Sequence, residues 1–289
     1  MNLSDKKLIE LFKKRKAEAE KEAAAIKKRF FEKKIRVLGV SASMRSVNDY
    51  AAESSNSEWL LDKCLDEAKK SGAETKKIAL RDYTIEPCKA CYSTTNTQCH
   101  YKCTCYAGKE ADDMTKKIYD IVMWADVIVF ATPVNNFKIS SLMALFIDRL
   151  ISMDGSLAPA DENNIKDKET NVKHTQFIEE TAGEKFGSGF LKRFTGKIAG
   201  IITTGHEEGA SMAISQLYMT LTHYGMLFPP FSNMYAINTV CEGTYKDKNK
   251  VRVACYEDEA RLLAKNLMTA AKICKRKGDY WWVYDGRAD

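Results

Sequence analysis

The sequence has no long apolar run. No stretch approaches the roughly 20 continuous apolar residues that a membrane span requires, and residues 1–34 are too charged to hold the apolar middle of a secretory signal. These absences predict a cytoplasmic protein with no membrane partner. The chain has 289 residues, of which 45% are hydrophobic and 29% charged, a composition typical of a folded globular protein.

Familiar phosphate-binding signatures and an acid–base pair are also missing. Neither Gly-x-x-x-x-Gly-Lys-Ser/Thr nor Gly-x-Gly-x-x-Gly occurs, and no internal repeat is found. The histidines His174 and His223 fit packing or surface positions better than catalytic ones. The sequence therefore predicts no catalytic side chain, which suits a reaction whose chemistry is supplied by a cofactor.

The first 34 residues contain most of the net charge of +6. Their apolar residues recur at helical spacing and predict one amphipathic helix over residues 1–34; they are Leu8, Phe12, Ala19, Ala23, Ile26 and Phe30. Basic amphipathic helices also bind anionic membranes or nucleic acid, but recognition motifs for nucleic acid are missing. We expect the helix to dock on its own domain or on a partner subunit, without nucleic acid.

Strand and helix patterns alternate over residues 35–275. This alternation predicts an α/β fold with a doubly wound parallel sheet, whose strands lie at Ile35–Val40, Glu74–Leu80, Val127–Ala131, Lys197–Thr204 and within Met226–Asn238. Residues 154–194 break the alternation, so we interpret them as an insertion over the sheet edge or into a neighbouring subunit. Residues 276–289 form a tail whose aromatic residues, 280–284, could pack on a partner or border a cofactor.

Polar loops follow three predicted strands, at Ser41–Ser57, Thr132–Ser141 and Thr203–Gly209. Ligands of open parallel sheets bind beyond the carboxyl ends of strands, where such loops meet. The first loop offers hydroxyls, Arg45 and helix N–H groups, which suit a phosphate monoester. The second offers amides and an aromatic wall that suit a planar heteroaromatic ring, and the third allows close approach at its glycines.

Several segments in and around these loops resemble the NADPH-dependent FMN reductase family of flavodoxin-like proteins. They are Val37–Arg45, Ala131–Phe137 with Ser140 and Ser141, and Phe146–Leu150, and Pro87–Cys91 resembles the iron-sulfur flavoprotein branch of that family. The resemblance covers roughly residues 35–240 without 154–194. It implies a five-stranded sheet in the order 2-1-3-4-5, FMN as cofactor, NAD(P)H as donor, a small-molecule or protein acceptor, and a homo-oligomer (dimer or tetramer).

The resemblance also implies which residues bind FMN. Those expected at the phosphate are Ser41, Ser43, Arg45, Asn56 and Ser57; those expected beside the isoalloxazine ring are Pro133, Val134, Asn135, Asn136, Phe137, Thr204, Gly205 and Gly209. The sequence departs from the family in two places. The phosphate loop carries the insertion Val47–Ser55, and Asn135 stands where an aromatic residue often follows Pro-Val.

Five of the nine cysteines fall within eighteen residues: Cys88, Cys91, Cys99, Cys103 and Cys105. In a reducing compartment such clustering favours metal ligands or redox thiols over disulfides. Iron-sulfur flavoproteins carry Cys-x-x-Cys-x-x-Cys before a fourth Cys, but Thr94 stands at the third position here. The cysteine loop, residues 86–107, is therefore interpreted as a site for a 4Fe–4S cluster. The alternatives are a zinc site, with His100 as a further candidate ligand, and metal-free thiols.

These expectations lead to one main hypothesis, an FMN-dependent NAD(P)H oxidoreductase whose cysteine loop carries an iron-sulfur cluster. A flavodoxin-like electron carrier without a dedicated substrate is the first alternative. A zinc-binding interaction protein is the second, although it leaves the second and third loops unexplained. The remaining thiols are assigned to packing: Cys64 to the core, and Cys241, Cys255 and Cys274 to structural positions.

Overall fold

A computed structural model describes residues 3–48, 50, 53–91, 99–108, 112–182, 191–205, 209–237 and 251–277. Its main sheet contains β1 (Arg36–Ser41), β2 (Glu74–Ala79), β3 (Val127–Asn135), β4 (Lys138–Ile139), β7 (Ile198–Gly205) and β8 (Asn233–Ile237), while β5 (Asp154–Gly155) and β6 (Leu191–Lys192) form a separate antiparallel pair. The order β2-β1-β3-β7-β8 is parallel throughout, and β4 pairs antiparallel with β3.

The helices cover both faces of this sheet. They are α1 (Leu3–Arg29), α2 (Asn56–Lys70), α3 (Tyr119–Trp124), α4 (Ser141–Leu150), α5 (Lys168–Ala182), α6 (Ala210–His223) and α7 (Ala254–Lys277), and a π-helical turn, Met114–Ile118, leads into α3. Within the described residues, none of these helices is long and apolar enough to cross a membrane.

Successive strand residues point to opposite faces and so divide the core in two. On one face Leu38, Ile128 and Phe130 are fully buried in a cluster that includes residues of α3, α4 and α6. On the other, Val37 and Val129 pack with residues of α2 and α7. Because the helices cover the faces, the carboxyl ends of the strands are left as the edge where loops can meet.

The α/β prediction is confirmed, and the five parallel strands run in the predicted 2-1-3-4-5 order when they alone are numbered. The third strand differs from the prediction because β3 continues to Asn135 instead of ending at Ala131. Asn136 and Phe137 then turn the chain directly into β4, with Asn135 paired to Lys138. Most of the predicted second loop therefore belongs to a β-hairpin.

The N-terminal helix α1 packs against the insertion of its own chain. The Phe12 ring stacks on His174 of α5 with centroids 5.1 Å apart, and Arg15 Nε donates to the Ala160 carbonyl at 3.2 Å. Arg193, only 1% exposed, pairs with Glu22 of α1 at 2.7 Å and lies over the Tyr101 ring at 3.7 Å. Through Arg193, α1 and the insertion also contact the cysteine loop.

Candidate functional site

The first and second loops are joined by buried hydrogen bonds at the carboxyl edge of the sheet. Ala42 N donates to the Ala131 carbonyl at 2.8 Å. Ser140 caps α4 by accepting from Met143 N at 3.3 Å, and its hydroxyl donates to the Ala42 carbonyl at 2.9 Å. Thr132 Oγ1 lies 3.2 Å from Ser140 Oγ. One capping serine therefore fixes both loops relative to each other.

The second and third loops form one continuous wall. Pro133 lies beside Thr204 in the ladder between β3 and β7. A Cβ on Gly205 would come within 2.9 Å of Val134 Cβ, and a Cβ on Gly209 would clash with the backbone of Phe137. These glycines are needed because the two loops approach more closely than a side chain allows.

The hairpin turn holds an exposed aromatic ring beside that wall. Asn136 and Phe137 have φ of 49° and 62°, the left-handed pair that a two-residue turn needs to match the twist of its strands. Phe is uncommon at positive φ, and the Phe137 side chain is 56% exposed. The turn places a flat apolar surface at the carboxyl edge of the sheet.

The first loop leads into the N-terminus of α2, which has the features of an anion site. Ser55 caps the helix by accepting from Glu58 N at 3.2 Å. The N–H groups of Asn56 and Ser57 precede Glu58 in the first turn, where no intrahelical carbonyl is available. In the same loop, Ser43 Oγ accepts from Arg45 N at 3.2 Å.

A buried carboxylate under this loop was not predicted from the sequence. Glu58 is 5% exposed; its carboxylate accepts from Arg81 at 2.6 Å and pairs with Lys77 at 3.2 Å, and Ser41 Oγ donates to it at 3.4 Å. Burial raises the pKa of Glu58, but the hydrogen bond from Arg81 and the charge of Lys77 outweigh burial and leave it below its usual value. The Ser41 hydroxyl is thus directed to Glu58.

A second arginine also reaches the phosphate loop. Arg252 Nε donates to Asn56 Oδ1 at 3.2 Å, and its Nη2 donates to the Ser54 carbonyl at 2.7 Å. Burial lowers the pKa of the Arg252 guanidinium, and the positive charge of Arg45 adds to this effect. Because Arg252 comes from the chain before α7, no local pattern in the sequence indicated it.

Parts of the predicted sites lie outside the described residues. These are 206–208 of the third loop, 49 and 51–52 of the phosphate-loop insertion, 92–98 of the cysteine loop including Thr94, Cys241, and the tail from 278 onward. Every residue predicted to bind FMN is described. The structure brings all three loops to one edge of the sheet, with Arg252 and Glu58 as additions.

The cysteine loop brings four of its thiols into contact. Cys91 Sγ lies 3.4 Å from Cys105 Sγ, and hydrogen bonds also join Cys91 to Cys99 and Cys103 to Cys105. Hydrogen bonds from Cys105 and Cys99 hold the pKa of Cys91 far below its usual value, and one from Cys105 lowers the pKa of Cys103 to about 6. Cys88 Sγ accepts from Ala90 N at 3.4 Å.

A buried ion pair holds the two ends of the cysteine loop. Arg149 and Asp112 are each 1% exposed and bond at 2.8 and 3.0 Å. Arg149 also donates to the Glu86 carbonyl at 2.7 Å, where the loop begins. Thr115 Oγ1 accepts from Arg149 at 3.1 Å, and it lies 2.6 Å from Asp112 Oδ2 and 3.3 Å from the Cys103 carbonyl. The geometry of the thiols therefore depends on this pair.

The sulfur donors suit a thiophilic metal or an iron-sulfur cluster. Within the described part of the chain, however, no group of three or more His, Cys, Asp or Glu side chains is arranged to hold a metal ion. The contacts form a chain that runs from Cys99 to Cys91, then to Cys105 and Cys103. Ligation would require the thiols to rearrange around the metal or cluster and lose their remaining protons.

Comparison with known proteins agrees with this architecture. Residues 35–169 match the sequence model of the NADPH-dependent FMN reductase family. The family resemblance predicted from the sequence is confirmed over this segment. A protein named iron-sulfur flavoprotein, from Archaeoglobus fulgidus, is 32% identical over 94 residues, which are 32% of this chain and 42% of that protein. The chain thus spans less than half the length of this curated relative.

A solved structure shows the same fold. RosB, solved with the bound intermediate 8-demethyl-8-formylriboflavin-5'-phosphate, superposes with a TM-score of 0.58 at 17% identity. The alignment covers 85% of this chain and 82% of RosB, so the shared fold extends beyond residues 35–169.

Proposed function

We propose that the chain is an FMN-dependent oxidoreductase that takes hydride from NAD(P)H and passes electrons to a small-molecule or protein acceptor. The observation that carries this proposal is the meeting of three loops at one edge of the sheet, where Gly209 contacts the Phe137 turn beside the capped N-terminus of α2. The family match over residues 35–169 supports it. When bound, FMN supplies hydride acceptance and electron release at its ring.

The residues of the chain have separate tasks in this proposal. The N–H groups of Asn56 and Ser57, with Ser43 and the guanidinium of Arg45, bind the phosphate. Arg252 adds positive charge there and orients Asn56. The second and third loops would hold the ring, and their backbone donors would stabilise negative charge on it. The residues that would bind the ring are Pro133, Val134, Asn135, Asn136, Phe137, Thr204, Gly205 and Gly209.

FMN binding and turnover are tested separately. Protein reconstituted with FMN and then desalted should keep a flavin absorption band, and failure to retain any FMN would overturn the proposal. The loaded protein should then oxidise NADH or NADPH steadily with a quinone or ferric acceptor. Retained FMN without turnover would instead identify a flavodoxin-like electron carrier.

For the cysteine loop we propose a 4Fe–4S cluster held by the four thiols joined by these contacts, Cys91, Cys99, Cys103 and Cys105. The support is the clustering of four sulfur donors in one loop and the relative named iron-sulfur flavoprotein. When bound, such a cluster supplies storage of single electrons. The residues around it have their own tasks: Arg149 and Asp112 fix the loop ends, and Lys89 donates to the Cys105 carbonyl at 3.4 Å.

Anaerobic purification followed by iron, sulfide and zinc analysis tests this assignment. We expect iron and sulfide in equal amounts, their loss in Cys91→Ser, and their retention in the matched variant Cys88→Ser. Zinc without sulfide would assign the thiols to a zinc site. A preparation with neither metal would leave the contacting thiols as a redox group and overturn the cluster.

We further propose that the chain forms a homo-oligomer through α6. This helix contains no Asp, Glu, Lys or Arg, and Met212 and Met219 on it are 58% and 70% exposed. Depletion of charge and enrichment in Met are typical of interface centres. Light scattering of the wild type should show an oligomer, and Met219→Lys should dissociate it. The control Lys272→Met, on the exposed surface of α7, should leave the oligomer intact. A monomeric wild type would contradict this proposal.

A further inference from the structure

A second cleft lies at the opposite end of the sheet, beside the amino ends of β3 and β7. It is open to solvent. The end of α1, the end of α7 and the chain leading into β7 form its walls. Its lining combines apolar side chains, including Phe30 and Ala271, with the charged groups of Arg29, Asp126, Lys197 and Lys275.

The charges in this cleft do not balance. Asp126 accepts from Arg29 at 3.0 Å and pairs with Lys275 at 3.4 Å, and its second oxygen also accepts from Arg36 N at 2.9 Å. Lys197 is 6% exposed, and among the described residues it has no carboxylate within ion-pair distance. Three basic side chains thus share one carboxylate, while Arg193, which also lines the cleft, is paired with Glu22 of α1.

Backbone carbonyls compensate only part of this excess. Lys197 Nζ donates to the Met123 carbonyl at 3.1 Å and also to the Ala125 carbonyl, and Arg29 Nη2 donates to the Trp124 carbonyl at 2.6 Å. These carbonyls belong to the C-terminal end of α3, which carries roughly half a negative charge. Burial lowers the pKa of Lys197 well below its usual value, with the charge of Arg29 adding to it, and burial also lowers the pKa of Lys275.

We propose that this cleft binds a small molecule with a carboxylate or phosphate group on an apolar body. The anionic group would receive hydrogen bonds from Lys275 and Lys197, which restores the charge balance that buried cations require. The apolar body would lie on Phe30 and Ala271. Because the cleft is at the end of the strands remote from the three loops, this proposal is independent of the FMN site.

Ligand binding would also hold the N-terminal helix in place. Arg29 and Phe30 come from the end of α1 and the residue after it, while Lys275 comes from α7 and donates to the Arg29 carbonyl at 2.9 Å. An anion bound between them would contact both the α1 and the α7 regions. Binding should therefore raise the stability of the docked α1 together with that of the whole domain.

Calorimetric titration of the full-length, FMN-loaded chain with phenyl phosphate tests the proposal, because loaded FMN fills the other phosphate site. Phenyl phosphate should bind and raise the unfolding temperature more than phenol, inorganic phosphate or sodium chloride at equal ionic strength. Lys275→Met should weaken binding by roughly tenfold or more, the effect of losing a charge-assisted hydrogen bond. The matched control Lys272→Met, exposed on the same helix, should bind as the wild type does.

A second measurement needs no variant. Amine labelling of the wild type, read by mass spectrometry, should slow at Lys197 and Lys275 when phenyl phosphate is present and stay unchanged at Lys272. Equal stabilisation by phenyl phosphate and by matched salt would overturn the proposal. The proposal would also be overturned if phenyl phosphate still bound to Lys275→Met but no longer bound to Arg45→Met. That result would place phenyl phosphate at the phosphate loop of the FMN site.

Discussion

Gly209 lies so close to Phe137 that a Cβ on the glycine would overlap the backbone of the turn. The φ of Gly209 is −68° and its ψ is 0°, values open to any residue. Space alone, and not backbone conformation, therefore explains why a glycine is required there. This contact joins the third loop to the second.

Gly209→Ala should push the two loops apart. We expect a loss of about 1–3 kcal/mol in the free energy of unfolding, as for other overpacked sites, together with weaker FMN binding. Denaturant titration and FMN titration measure the two effects. Gly72→Ala is the control, because Gly72 has φ of 91° and open space around it; it should lower stability but leave FMN affinity unchanged.

Arg252 should contribute to phosphate binding although it lies far from the loop in sequence. Arg252→Met removes the hydrogen bonds to Asn56 and Ser54 and one positive charge, so FMN affinity should fall by roughly tenfold or more. Fluorescence titration at several salt concentrations should also show a weaker salt dependence. Arg276→Met, an exposed change on α7, should match the wild type, and equal affinity in both variants would rule out this role for Arg252.

The buried pair of Arg149 and Asp112 should be among the most costly to break. Arg149→Met leaves Asp112 as an unpaired buried carboxylate, which costs about 3–5 kcal/mol of unfolding free energy. Asp112→Asn should also destabilise, and the double variant should lose less than the sum of the two. Denaturant unfolding measures all three. Simple additivity would show that the pair does not act as a unit.

Glu58 should make stability depend on pH in the acidic range. Its folded-state pKa is below the usual value, so its contribution is fully present above the unfolded pKa of about 4.3 and disappears as pH falls through the folded pKa. Glu58→Gln should therefore have a lower free energy of unfolding than the wild type at pH 7, and this difference in free energy should become smaller below about pH 4.

Thermal unfolding across pH checks this prediction. Glu169→Gln removes a carboxylate from an exposed ion pair with Lys173 and should show no comparable pH-dependent difference, because exposed pairs contribute little. If the difference in unfolding temperature between Glu58→Gln and the wild type stays constant from neutral to acidic pH, the charge of the Glu58 carboxylate is not the source of the stabilisation.

Local sequence patterns were sufficient to predict the fold class and the positions of the loops. The apolar runs of β1, β3 and β7 are short-range signals, and the structure shows these runs as buried strands. The hairpin at Asn136 and Phe137 could not be predicted in this way. Such turns usually show Asn-Gly, and Phe at positive φ is held there by its tertiary contact with Gly209.

Contacts between distant parts of the chain explain the other omissions. Arg252 is separated from Asn56 by 196 positions, and Asp112 from Arg149 by 37. Arg149 belongs to a segment that supported the family resemblance, yet its sequence does not reveal the partner that neutralises it. A charged residue's partner is fixed by packing of the whole domain, which periodicity and motif spacing do not encode.

Arg193 has a consequence for shortened versions of this protein. Its guanidinium is buried and depends on Glu22 of the N-terminal helix for its counter-charge. A recombinant chain that starts at Ile35, where the family match begins, would lack Glu22 and Phe12. Arg193 would then be a buried cation without its carboxylate partner, and His174 would lose the ring that stacks on it. We therefore expect a chain shortened to begin at residue 35 to be less stable than the full chain.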